Sequence, residues 1–202
     1  MKTRTPAEKS AWCAMLATVL SIAAFIIYNW RIFSGQSHAN FVSWSIWAFI
    51  TALNFTSYKS VSGSWIKAML PTVDSGLCIL TAIILLCLGR IGELNVTDKV
   101  CLALGIATII LWRATRSAHL AQVLVQIALV IGFIPMYHGM TIKNTEPWLP
   151  WLMWTGTFLG QFAAVNYNRR TDEIKTGEPY EFLYPVNMMI FHFGTFLMAA
   201  GL

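Results

Sequence analysis

The sequence predicts an all-α membrane protein: seven transmembrane helices arranged as two parallel three-helix repeats joined by a connector helix. Of its 202 residues, 56% are hydrophobic and only 11% charged, whereas a soluble domain carries about a quarter charged residues. Seven apolar segments recur along the chain, in the range of the roughly 20 residues needed to cross a hydrocarbon core of about 30 Å. Ser43-Trp44-Ser45-Ile46-Trp47 followed by Asn54 also aligns without a gap with Pro150-Trp151-Leu152-Met153-Trp154 followed by Gln161. In each copy two tryptophans sit three apart and a carboxamide follows seven residues after the second, as expected of a duplicated unit.

The first segment runs from Trp12 to Trp30 behind Lys2, Arg4 and Lys9. Basic residues also precede a secretory signal, but this apolar stretch is longer than a signal core and completes the first repeat, so it reads as a span. The second, Phe41 to Tyr58, begins at the tryptophan pair, and the third, Ile66 to Leu88, carries Pro71 near its start. A short fourth segment, Val100 to Trp112, precedes His119 to Tyr137, Trp148 to Val165 and Phe182 to Ala200, the last with Pro185 near its start. Helices are expected because backbone polar groups in hydrocarbon must be satisfied within the segment, and a barrel would show weaker alternation over about ten residues.

Pro71 lies 24 residues after Trp47 and Pro185 lies 31 after Trp154. The seven extra residues fit the charged loop Arg169 to Glu181, where an insertion is cheap. The span before each tryptophan pair ends in a glycine-containing turn, at Gly35 and Gly139. Residues 1–92 are thus the N-terminal tail and first triplet, 93–116 the connector, and 117–202 the second triplet. One connecting span reverses the chain once, which leaves the triplets parallel.

Lysine and arginine fall on alternate sides in a 10 to 4 ratio. Lys2, Arg4, Lys9, Lys59, Lys67, Arg113, Arg116, Arg169, Arg170 and Lys175 share the side of the N-terminus, against Arg31, Arg90, Lys99 and Lys143. This places the N-terminus in the cytoplasm and the C-terminus outside, with a bacterial inner membrane as the expected location. The net charge of +5 then reflects orientation in the bilayer, and no nucleic-acid partner is implied. Cys13, Cys78, Cys87 and Cys101 lie in or beside apolar spans without CxxC spacing, as free thiols that pack like small hydrophobes. No metal or cofactor is expected, and a homo-oligomer is left open.

Candidate site residues follow from the repeat. A buried carboxamide without partners costs about 1–3 kcal/mol, so Asn54 and Gln161 are expected either to meet across the repeat axis and bind a polar solute or to bond neighbouring helices. Trp47 and Trp154, deeper in their spans, are expected to face the same cavity and stack on the solute. Trp44 and Trp151 sit at span starts, as in an interfacial aromatic belt. Asp74 is the only acid inside a segment, and charge at such depth costs about 2.5–3.5 kcal/mol, which makes it a candidate for solute contact or proton coupling, or else for a structural pair. Asn187 occupies a similar place in the second half. His192, mid-span, either titrates with Asp74 or bonds a carbonyl. His119, Gln122 and Gln126 recur at helical spacing, as a wet stripe or as contacts between helices. Pro71 and Pro185 are candidate hinges, since proline removes an intrahelical bond, or alternatively helix starts.

The three-plus-one-plus-three order, the paired Trp-x-x-Trp helices, the two prolines and Ile134-Pro135 resemble the SWEET and PQ-loop superfamily of carriers and receptors. The bacterial nicotinamide riboside carriers are similar in architecture. The chain departs from the PQ-loop pattern in having no Pro-Gln dipeptide. The resemblance implies a carrier for a small polar solute, sugar-like or vitamin-like, working by alternating access, or a non-transporting receptor for a small ligand or peptide on the same fold. A retinal pigment is excluded because the final lysine, Lys175, precedes the last span. An enzyme is not expected: there is no HExxH, no GxSxG and no pair of carboxylates within spans.

Overall fold

The computed structural model describes residues 4–114, 118–169 and 180–202, without the side chains at 56, 57, 60–62, 109, 112, 118, 119, 121 and 180. Lys2, Arg116, Arg170, Lys175 and the side chain of His119 therefore lie outside the described residues.

Seven helices make up the described chain, and no strand occurs among the described residues: α1 (Pro6–Phe33), α2 (Phe41–Ser62), α3 (Trp65–Cys87), α4 (Val96–Ala114), α5 (Ala118–Ile142), α6 (Trp148–Arg169) and α7 (Tyr180–Ala200). Four of them, α1, α3, α5 and α7, are long and apolar enough to cross a membrane by length and composition. In α2 the apolar stretch found among the described residues, Phe41–Phe55, is shorter.

Capping extends several helices past the apolar segments. Thr5 and Glu8 close a reciprocal capping box in front of Pro6, adding two turns to α1. Asn95 and Asp98 do the same for α4, each accepting from the other's backbone N–H at 2.9–3.0 Å. Asn40 and Ser64 cap α2 and α3, and α2 stops at Gly63, whose φ of +63° suits a residue without Cβ. Gly35 turns the chain after α1 as expected, at φ +74°. Gly139, in contrast, is not a turn: α5 continues to Ile142, and this glycine lies inside its last turn.

Consecutive helices are not always neighbours. Among the described residues α1 packs on α3 and α6, α2 on α3 and α5, and α7 on α5 and α6, while the backbones of α1 and α2 do not approach closely, nor do those of α5 and α6; these pairs meet through side chains such as Tyr28 with Trp44 and Phe133 with Trp151. Each of α3 and α7 thus lies between the two helices that precede it in its triplet. α4 rests on α5 and lightly on α2. The α1–α6 contact is the most extensive, and small residues allow it: a Cβ added at Gly160 would meet Ala17 at 3.1 Å. Large apolar side chains are exposed on all seven helices, among them Trp30, Phe49, Ile79, Ile110, Ile127, Leu159 and Ile190, while Asn54, Lys67, Gln122, Gln161 and Glu181 are buried.

Candidate functional site

Four tryptophans meet at the centre of the bundle. The ring centroids of Trp44 and Trp47 on α2 are 5.1 Å apart, and those of Trp151 and Trp154 on α6 are 4.9 Å apart. Across the two helices Trp44 approaches Trp154 at 6.1 Å and Trp47 approaches Trp151 at 6.2 Å. Phe25 of α1 stands against Trp154 at 4.9 Å, and Phe133 of α5 against Trp47 at 4.7 Å. Trp44 and Trp151 were expected at an interface with lipid headgroups; instead both are buried, because their indole N–H groups find acceptors inside, on the Tyr28 hydroxyl at 3.1 Å and on Glu146 at 3.2 Å.

These rings wall a cavity of about 40 Å³, completed by Thr51, Asp74, Cys78, Leu129, Phe158, Tyr184, Met188 and His192. Asp74 Oδ1 accepts from the Ser21 hydroxyl at 2.6 Å and Oδ2 from the Tyr184 hydroxyl at 3.1 Å. The Nδ1 atom of His192 lies 2.7 Å from the Met188 carbonyl. That atom must therefore carry the proton, leaving Nε2 as an acceptor on the cavity wall. Trp47 donates to the Leu129 carbonyl at 3.1 Å, whereas the buried Nε1 of Trp154 has no acceptor among the described residues.

Polar closures stand on both sides of the cavity. Where α3 and α7 begin, Lys67 and Glu181 form an ion pair with Nζ 2.8 Å from Oε2, both side chains fully buried. Each is four residues before a proline, and in each case the carbonyl that the proline leaves without an N–H is met from outside. Gln161 Nε2 donates to the Lys67 carbonyl at 2.6 Å, and the Tyr58 hydroxyl donates to the Glu181 carbonyl at 3.1 Å. Pro71 and Pro185 thus lie within helices, beyond the first turn.

At the opposite end the Tyr28 hydroxyl donates to Glu146, at 2.9 and 3.2 Å to its two oxygens. Beyond Glu146 opens a vestibule of about 600 Å³, bordered by His38, Arg90, Glu93, Asp98 and Lys143.

Of the residues singled out in the sequence, Trp47, Trp154, Asp74 and His192 come together at the cavity. Asn54 and Gln161 do not border it and bond elsewhere. Asn54 Oδ1 accepts from Gln122 at 3.3 Å and from Gln126 at 3.2 Å, and Asn187 donates to the Gln126 side chain and carbonyl, each at 3.2 Å. These carboxamides tie α2, α5 and α7 together. Replacing Gln161 with leucine is expected to cost about 1–3 kcal/mol through the orphaned carbonyl. The cost should shrink in a Pro71→Ala background, where the restored N–H serves that carbonyl, and a double-mutant cycle of unfolding free energies measures the difference.

Tyr28, Glu146, Lys67 and Glu181 escaped the sequence reading. Lys67 entered only the count of cations on the side of the N-terminus. Setting Pro71 against Pro185 would have exposed two of them, since it places Lys67 and Glu181, of opposite charge, at equivalent positions.

Burial pushes the Glu146 carboxyl from its ordinary 4.5 up to about 7, against the bonds from Tyr28 and Trp151 that favour the ionised form. The closed arrangement accordingly favours the protonated acid. Its contribution is full below the ordinary value and is lost as pH rises through about 7. Thermal midpoints in detergent should therefore fall between about pH 5 and about pH 8, and Glu146→Gln should flatten that slope.

No family model, curated protein or solved structure gives a significant match to the chain.

Proposed function

We propose that the protein is a membrane carrier that moves a small polar solute by alternating access. In this reading all seven helices span the bilayer, as two parallel three-helix repeats joined by α4. The observation that carries it is the register of the cavity wall. An offset of 108 residues between α1 and α5 pairs Phe25 with Phe133; 107 between α2 and α6 pairs Trp44 with Trp151, Trp47 with Trp154 and Thr51 with Phe158; 114 between α3 and α7 pairs Asp74 with Met188 and Cys78 with His192. Only Leu129 and Tyr184 of the wall fall outside these six pairs. The same exchange turns every packed helix pair outside α4 into another packed pair. Two further contacts obey it: Asn29 donates to Thr81 at 3.1 Å and Thr195 to Tyr137 at 3.3 Å.

A cavity shared by two such halves is where a carrier built from repeats holds its solute. The exposed apolar side chains on every helix support a lipid-facing exterior. With the N-terminus cytoplasmic, as the lysine and arginine asymmetry predicts for a bacterial inner membrane, the Tyr28–Glu146 contact is the outer closure and the Lys67–Glu181 pair the inner one. Separating the first joins the cavity to the vestibule. Separating the second, together with the Asp74–Tyr184 bond, opens the cytoplasmic side. The prolines beneath Lys67 and Glu181 lower the cost of bending α3 and α7 there, because those carbonyls are held by side chains of other helices rather than by their own.

Counterflow into proteoliposomes preloaded with each of a panel of sugars, nucleosides, amines and amino acids tests the reading. At least one labelled solute should accumulate transiently above empty vesicles. If none does while saturable binding is found in the same sample, the protein is a receptor and transport is refuted.

A further inference from the structure

Resting on that carrier reading, which makes the closed cavity the compartment in which the solute crosses, we propose that the solute is a small primary ammonium ion bearing an oxygen, of the size and chemistry of ethanolamine. The cavity holds about 40 Å³, and one water needs roughly 10–15 Å³ measured in the same way. The compartment therefore suits a handful of non-hydrogen atoms, which a sugar ring or a nucleoside exceeds.

Its chemistry selects the charge. Asp74 is the only acid on the wall, no lysine or arginine lines it, and both hydrogen bonds to the carboxylate come from neutral hydroxyls. The nearest buried base on the same helix, Lys67, is committed to Glu181. An ionised carboxylate at such depth is costly, and a bound cation neutralises it. The rest of the wall is aromatic, and indole faces attract a desolvated cation.

Two more polar atoms refine the choice. Nε2 of His192, the ring atom not used by the Met188 carbonyl, is left as an acceptor on a cavity-lining residue, and it suits an N–H of the same ammonium group, which a quaternary amine lacks. The N–H of Trp154 is buried and without an acceptor, so it suits an oxygen elsewhere on the solute. Such an ion satisfies the carboxylate, the imidazole and the indole together, whereas a diol leaves the carboxylate uncompensated and a carboxylic acid repels it.

Quenching of intrinsic tryptophan fluorescence by ethanolamine, ethylene glycol and glycolate, in the wild-type protein in detergent, tests the charge without any substitution. Ethanolamine should bind at least ten-fold more tightly than the other two, and Asp74→Asn should remove at least ten-fold of its affinity. Equal binding of the three probes, or an unchanged affinity in a folded Asp74→Asn variant, would overturn the proposal. Counterflow of labelled ethanolamine, run alongside, separates the two readings. Selective binding with counterflow supports both. Selective binding without counterflow keeps the cation site and refutes carriage. Counterflow of some other solute alongside unselective binding keeps carriage and refutes the cation site.

Discussion

Glu181→Ala should destabilise the protein by about 3–5 kcal/mol, because it removes the carboxylate that pairs with the fully buried Lys67 ammonium. Lys67→Ala should cost a similar amount by removing the cation that pairs with the buried carboxylate. The double variant Lys67→Met with Glu181→Leu should recover most of the loss, since an apolar pair of similar volume is often as stable as a buried ion pair. Chemical unfolding of the purified variants measures all three. The distinction matters for function, because α3 and α7 have no close backbone approach to one another. Long side chains alone draw them together at this end, by the ion pair and, two turns along α3, by the Tyr184–Asp74 bond. An apolar replacement should thus hold the fold yet change how often the inner end opens, visible as an altered exchange rate at nearly unchanged stability.

Gly132→Ala is the second large effect. A methyl at this position would sit directly on the Trp47 indole, against Nε1 and Cδ1, and the ring cannot retreat without losing its bond to the Leu129 carbonyl. Overpacking of this kind costs about 1–3 kcal/mol, and here it would also push a tryptophan into the cavity. Tryptophan emission should shift, and solute binding should fall with it. Trp47→Phe in the same chain should relieve the clash, so that the double variant is more stable than the sum of the single effects. The equivalent position in the first half is already Ala24, and Ala24→Gly should cost only about 1 kcal/mol. The two halves share a plan but not every contact.

Much of the helix layout was legible from apolar runs alone, because length and hydrophobicity are properties of single segments. Trp47 and Trp154 pointed to the cavity for the same reason, since their spacing is local and repeated, whereas Trp44 and Trp151 read as an interfacial belt because their buried acceptors, Tyr28 and Glu146, are distant or outside the helix pattern. What could not be read was which polar groups would find one another across the bundle. Asn54 and Gln161 are equivalent in sequence, yet one joins the Gln122 and Gln126 side chains and the other caps a carbonyl freed by proline, because Pro71 lies opposite Gln161 whereas Tyr58 serves that purpose for Pro185. Glu146 lies in the connection between α5 and α6. It is buried because Tyr28, 118 residues earlier, reaches it, and a contact at that separation leaves no trace in local pattern.

The placement of α3 between α1 and α2 bears on how the chain is assembled during synthesis. The first two helices to leave the ribosome have no close backbone approach to each other, meeting through side chains such as Tyr28 and Trp44, so each gains its first broad packing partner with the third, and the same order recurs among α5, α6 and α7. The broadest face of α1 waits longest, since its partner α6 is translated more than a hundred residues later. Until then the small residues around Ala17 that will receive Gly160 stay uncovered by their partner.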